Sequence, residues 1–141
     1  MKLSDCINFQ LTAAQHAVFQ YFGGLLSAHG ITPAQYGVLA CLWEHGCLAP
    51  KQIGEMVYLE PSSISTVLDR MQKNGLIERN IHPENRRLIQ VTLTDKGREL
   101  ERPVRAIVDE MNQKVLEPFT PQEREVAARV LLTIAQRKFD I

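Results

Sequence analysis

Between Lys2 and Lys51 the chain carries no lysine or arginine, and its only acids there are Asp5 and Glu44. A stretch so poor in charge cannot cover itself with a solvated surface, so it reads as helices buried on more than one side. Cysteine is scarce and odd in number. Cys6, Cys41 and Cys47 offer no disulfide framework and fit a reducing compartment. No run of about 18 apolar residues exists to span a bilayer. The opening residues, Met1-Lys2-Leu3-Ser4-Asp5-Cys6, lack the apolar core of a secretion signal, so cytoplasmic residence is the expectation. There is no glycine-rich phosphate loop and no Ser/His/Asp or Cys/His arrangement with a further partner to orient it, so neither an enzymatic activity nor a cofactor is expected. Net charge is also missing: 16 Lys plus Arg balance 16 Asp plus Glu, which removes any global attraction to nucleic acid or membrane.

What is present is one domain's length, 141 residues, 45% of them apolar, enough for a core without staples. Apolar periodicity predicts helices over about residues 5–28 and 33–45. The first carries Ile7, Leu11, Ala14, Val18, Phe22 and Leu25 on one stripe, with Phe19 and Tyr21 off it. Gly30 ends it, and Thr32-Pro33 opens the second. In a chain this small, a helix apolar on several sides predicts a second chain against it, and a homodimer is expected. A central core helix is the alternative.

Charge returns at Lys51. A short helix from Pro50 to about Val57 points Ile53 and Met56 inward, and Tyr58-Leu59-Glu60 breaks it. A further helix starts at Pro61, buries Ile64, Val67, Leu68 and Met71, and stops at Asn74-Gly75. Two strands follow, Leu76–Ile81 and Leu88–Leu93, joined by the polar loop His82-Pro83-Glu84-Asn85-Arg86. Helix, turn, helix and β-hairpin is the order of a winged helix-turn-helix. Beyond it, Thr94-Asp95 caps a long helix bearing Leu100, Val104, Val108, Met111 and Val115, with a kink expected at Pro103. Thr120-Pro121-Gln122-Glu123 is a capping box for a last helix striped with Val126, Ala127, Val130, Leu131 and Ile134. The fold class is therefore mainly α, an α+β arrangement.

The helix from Pro61 leaves Ser62, Ser63, Ser65, Thr66, Asp69, Arg70 and Lys73 on its outer face. Small hydroxyl residues near a helix N-terminus permit close approach to a major groove, where they reach phosphates or base edges. Arg70 and Lys73, further along, suit the phosphate backbone. Arg86 and Arg87 sit at the hairpin tip, placed for an A·T-rich minor groove. From Arg70 to Arg87 five basic residues face two acids, a local basic patch on a neutral protein. A plain solvated helix face is the competing reading of the same residues.

Ser62-Ser63-Ile64-Ser65-Thr66-Val67-Leu68-Asp69-Arg70-Met71, Asn74-Gly75-Leu76-Ile77-Glu78-Arg79, Leu93-Thr94-Asp95-Lys96-Gly97 and Thr32-Pro33-Ala34-Gln35-Tyr36-Gly37-Val38-Leu39 together resemble the MarR family of winged helix-turn-helix transcription regulators. The resemblance covers nearly the whole chain. It implies one MarR-type domain over residues 1–141, with a winged lobe over about 33–93 and dimerisation helices over about 4–30 and 94–141. It implies an obligate homodimer on the double-stranded DNA of a pseudo-palindromic operator, acting as a regulator, most often a repressor. Release by a small aromatic ligand or by cysteine oxidation is implied too. One departure stands out: where the family often has Asp-x-Arg on the wing, this chain has Asn85-Arg86-Arg87. Arg87 then lacks its carboxylate, and Glu84 is the nearest acid able to stand in.

By the same resemblance, a ligand pocket between dimer helices and winged lobe draws its candidates from His16, Phe19, Tyr36, Trp43 and Met111, though aromatics at helical spacing also serve as plain core. With no Lys or Arg in residues 3–50, a carboxylate ligand must take its cation from Arg102, Arg105 or His16, and a neutral phenolic ligand has equal standing. Cys6 is the redox candidate, near a helix N-terminus that favours thiolate, although it falls two residues early and the tyrosine pair of the peroxide-sensing subgroup falls on Phe22 and Pro33. Cys41, His45 and Cys47 have no common zinc spacing, and no metal site is assigned. Two rival functions remain open at this point: a winged-helix protein-interaction module without DNA binding, and a thiol- or metal-dependent activity.

Overall fold

A computed structural model describes all 141 residues. After a short turn at Leu3–Asp5, helix α1 runs from Ile7 to Leu26, and a second turn, Ser27–His29, leads into Gly30, whose φ of 69° reverses the chain. Helix α2 (Pro33–His45) opens on a reciprocal cap: Thr32 Oγ1 accepts from the Gln35 N–H, and Gln35 Oε1 accepts from the Thr32 N–H, both at 3.2 Å. Gln35 is buried because its amide is used in this way.

Helices α3 (Pro50–Val57) and α4 (Pro61–Lys73) form the helix-turn-helix, with limits matching the sequence reading. Ile64, Leu68 and Met71 of α4 are buried and Val67 is half-buried. Full burial of each such side chain contributes about 1.5–3 kcal/mol. Met56 does not face inward as expected. It is 40% exposed, because the core face of the short α3 continues from Ile53 by four residues to Val57, which packs on Gly37.

Strands β2 (Ile77–Ile81) and β3 (Ile89–Leu93) form the expected hairpin, in register from Ile77 opposite Leu93 to Ile81 opposite Ile89. A third strand, β1 (Cys47–Leu48), was not expected. It pairs antiparallel with β3 and completes a sheet in the order β1-β3-β2.

The long C-terminal helix is two helices, α5 (Asp95–Glu99) and α6 (Glu101–Leu116), divided at Leu100. Pro103 is the cause. It has no N–H for the Glu99 carbonyl and its ring crowds that oxygen, so the ladder restarts with the Val104 N–H on the Leu100 carbonyl at 3.0 Å. The proline thus occupies the first turn of a new helix instead of kinking the middle of an old one. Helix α7 (Pro121–Gln136) starts from the predicted box, Thr120 and Glu123 exchanging bonds of 3.1 and 3.0 Å.

The core lies among α2, α3, α4 and the sheet, with Val104 of α6 and Phe22 and Leu26 of α1 closing it. No residue of α7 is buried, and α1 buries only those two. Within one chain the charge-poor N-terminal helix stays largely uncovered. No helix is long and apolar enough to cross a membrane.

Candidate nucleic-acid interface

Pro61 begins α4 with its ring where no N–H is needed, and the apolar stripe fixes which face turns out. Ser62, Ser63, Ser65, Thr66, Asp69, Arg70 and Lys73 are all exposed on that outer face. The hydroxyls crowd the N-terminal half, where helix N–H groups add positive potential. Thr66 donates internally to the Ser62 carbonyl at 3.1 Å. Arg70 and Lys73 lie in the last turn, free of ion pairs.

Arg79 is different. From β2 its guanidinium donates to Asp69 Oδ1 at 2.6 Å and to Gln72 Oε1 at 2.7 Å. It therefore neutralises the one acid on the outer face of α4 and ties that helix to the wing. Counting Arg79 within a free basic patch overlooked this clamp, which spans ten residues and a turn.

At the wing tip Arg86 and Arg87 are exposed and unpaired. Asn85 accepts from the Arg87 N–H through Oδ1 at 3.1 Å, forming an Asx turn. The Asn85 side chain thus shapes the backbone that carries Arg87. Glu84 does not replace the missing carboxylate: its N–H donates to His82 Nδ1 at 3.0 Å, and no arginine pairs with it. Between wing and helices opens a groove of about 790 Å³ bordered by Lys51, Tyr58, Pro61, Ser65, Arg79 and Ile89.

None of the effector candidates borders that groove. Tyr36 and Trp43 meet edge to face at 6.3 Å, with Phe22 at 5.2 Å from Tyr36, and Arg105 of α6 lies 5.6 Å from the Trp43 ring. Met111 is half-buried against the same core. His16 and Phe19 are exposed on α1, away from one-chain packing. Burial pushes the Tyr36 phenol up from its ordinary value, and the Arg105 cation offsets part of that rise. Sequence reasoning named Arg105 only among possible cations; its place over Trp43 depends on how α6 packs.

Cys6 is exposed immediately before α1, while Cys41 is buried in α2 and Cys47 is half-buried in β1. Burial raises the Cys41 thiol, and the Glu44 carboxylate raises it further. No three His, Cys, Asp or Glu side chains gather closely enough to hold a metal.

A helix-turn-helix with a hydroxyl-rich outer face, flanked by an arginine-tipped hairpin, defines a winged helix-turn-helix of DNA-binding type. The sequence model of the MarR family matches residues 31–89. The chain is 31% identical to the HTH-type transcriptional repressor MdtR of Bacillus subtilis, over 96% of its own length and 90% of the relative's. It is 36% identical to the organic hydroperoxide resistance transcriptional regulator of the same organism, over 69% of its length and only 66%, just under two thirds, of that relative's. Its structure matches that of the transcriptional repressor CouR bound to a 23-mer DNA duplex, with 27% identity, a TM-score of 0.87 and 95% of each chain covered. The chain belongs to the MarR family, and it is a DNA-binding transcriptional regulator, not an enzyme.

Proposed function

We propose that the chain acts in the cytoplasm as a homodimeric repressor, each copy placing α4 in a major groove and its wing in the adjoining minor groove of an inverted repeat. The observation that carries the dimer is α7: Val126, Val130, Leu131 and Leu132 stay exposed, and none of its residues is buried. Apolar side chains left uncovered around α7 mark an interface, and Ile7, Phe9 and Phe19 of α1 are uncovered as well. A two-fold pair presents two α4 helices to half-sites about one helical turn apart. Ser62, Ser63, Ser65 and Thr66 approach bases and phosphates, Arg70 and Lys73 the backbone, and Arg86 and Arg87 the minor groove.

Selection from a random duplex DNA library at moderate salt tests this. An enriched inverted repeat is the expected result, with binding that falls by about 0.9 log unit per log unit of salt for each phosphate neutralised. Arg70→Ala and Arg87→Ala that leave both affinity and slope untouched refute the assignment. A folded dimer that enriches nothing favours the protein-interaction module.

The Tyr36, Trp43, Phe22 and Arg105 cluster supports release by a small aromatic ligand, with Arg105 as the cation for a carboxylate and Tyr36 as the partner of a phenol. Met111 borders the same place, and His16 and Phe19 enter only if a second copy covers α1. Trp43 is the chain's single tryptophan, so quenching by benzoate or phenol reports on this cluster alone. Quenching coupled to loss of DNA supports it; unchanged emission refutes it. A second reading, oxidation at Cys6, is favoured by that thiol's exposure at the start of α1. It is tested by whether Cys6→Ser abolishes loss of DNA binding under an organic hydroperoxide.

A further inference from the structure

Tyr58 is the only non-glycine residue of the chain with positive φ, at 58° with ψ 42°, which is left-handed backbone. It stands where α3 ends: its own N–H and that of Leu59 both return to the Gly54 carbonyl, the latter at 2.9 Å. Glycine or asparagine normally fills this place, because a Cβ is strained there and a bulky side chain more so. Strain of this kind persists where something offsets it. Burial does not offset it, since Tyr58 is 72% exposed. Its neighbours say what it faces. Tyr58 borders the groove with Ser65 of α4, Lys51 at the start of α3 and the acids Glu55 and Glu60, immediately before the hydroxyl-rich N-terminus of α4.

We propose that Tyr58 is a DNA-backbone contact, its phenol donating to a phosphate at the edge of the major groove that α4 enters. The assignment rests on the DNA-binding reading of this same face. The left-handed turn presents a rigid ring ahead of α4 on a side chain with only two rotatable bonds, so little freedom is lost on contact. The donor is neutral, so it adds affinity without releasing a counterion of its own.

The test uses the full-length protein and an inverted repeat enriched from the random library, with Tyr58→Gly and Tyr58→Phe compared by fluorescence anisotropy over a range of salt and by thermal unfolding. Tyr58→Gly relieves the turn and is expected to unfold at the same temperature as the wild type or higher. Both variants are expected to bind about tenfold more weakly, with the slope of log affinity against log salt unchanged. Wild-type affinity in Tyr58→Gly overturns the proposal. So does a fall in unfolding temperature that accompanies the loss of binding, which identifies a structural residue. A wild-type protein that retains no selected duplex overturns the DNA-binding reading itself, and the two failures are thereby told apart.

Discussion

Replacing Arg79 by Gln removes the clamp between wing and recognition helix, and its cost follows from the geometry. The guanidinium makes two bonds, 2.6 Å to Asp69 and 2.7 Å to Gln72, with Arg79 27% exposed and Asp69 54% exposed. An exposed ion pair contributes about 0.2–1 kcal/mol, and the additional bond to a neutral amide brings the expected loss to about 1–1.5 kcal/mol. For a chain of this length that lowers Tm by about 3–5 °C at fixed protein concentration. The consequence for DNA differs in kind. Asp69, left unpaired on the outer face of α4, repels phosphate; a unit charge about 7 Å away in a water-like medium adds about 0.6 kcal/mol, near threefold in Kd. Asp69→Asn in the same chain removes that repulsion without restoring the clamp. The double variant should therefore bind DNA more tightly than Arg79→Gln alone while staying less stable than the wild type. Anisotropy titrations and thermal unfolding of the four proteins of the cycle measure both. Stability effects that add to within about 0.3 kcal/mol, with no recovery of binding in the double variant, refute the reasoning.

A Cβ added at Gly97 collides with the Leu76 carbonyl oxygen, so Gly97→Ala must move backbone and is expected to cost about 2–3 kcal/mol in urea unfolding. Asn85→Ala removes the acceptor of the Arg87 N–H and should weaken operator binding, whereas Asn85→Asp, which keeps that acceptor, should hold it; anisotropy compares them. Alkali should destabilise the fold in a defined window. Cys41 and Tyr36 both have folded-state pKa values raised above ordinary values of 9.0 and 10.0, so the unfolded chain releases these protons first. Their contribution is present in full below about pH 8 and declines as pH climbs past 9 and then 10. Urea midpoints from pH 7 to 11 should show this fall, and the Cys41→Ala, Tyr36→Phe variant should flatten it.

Local chemistry was the part of the fold most readily read from sequence. Pro33, Pro50, Pro61 and Pro121 mark helix starts, Gly30 and Gly75 mark reversals with positive φ, and Thr94 and Thr120 cap as their spacing predicts. What was missed is long-range or finely balanced. Strand β1 is two residues long, and its partner lies more than 40 residues away, so no periodicity announces it. The choice between Met56 and Val57 turns on a third against a fourth residue beyond Ile53 in a two-turn helix. Pro103 announces a break in the ladder without saying whether it bends one helix or separates two. In the candidate interface the outward set of α4 was legible because it is the complement of the apolar stripe. The Arg79 clamp and the strained Tyr58 were not, since one needs the turn's three-dimensional path and the other puts tyrosine where sequence habit expects glycine. Tyr36 and Trp43 do meet, whereas α1 turns His16 and Phe19 away from the rest of the chain, an orientation that helical spacing alone does not give.

The far end of the recognition helix is its fixed point. Lys96 Nζ donates to the Asn74 carbonyl at 2.9 Å, Thr94 Oγ1 to that of Gly75 at 2.6 Å and the Thr94 N–H to that of Leu76 at 3.1 Å, while Gly97 accepts from the Trp43 indole at 3.0 Å. The C-terminal end of α4 is thus riveted to α5, and its N-terminal end carries the serines. Thirteen residues at 1.5 Å each make an arm of about 20 Å, so tilting α5 by about 5° swings Ser62 through roughly 1.7 Å. That is more than a hydrogen bond tolerates. Under the release proposed above, a small molecule beside Trp43 would have no need to approach the DNA: a modest rotation at the pivot would be multiplied along the arm into a displacement of the serines.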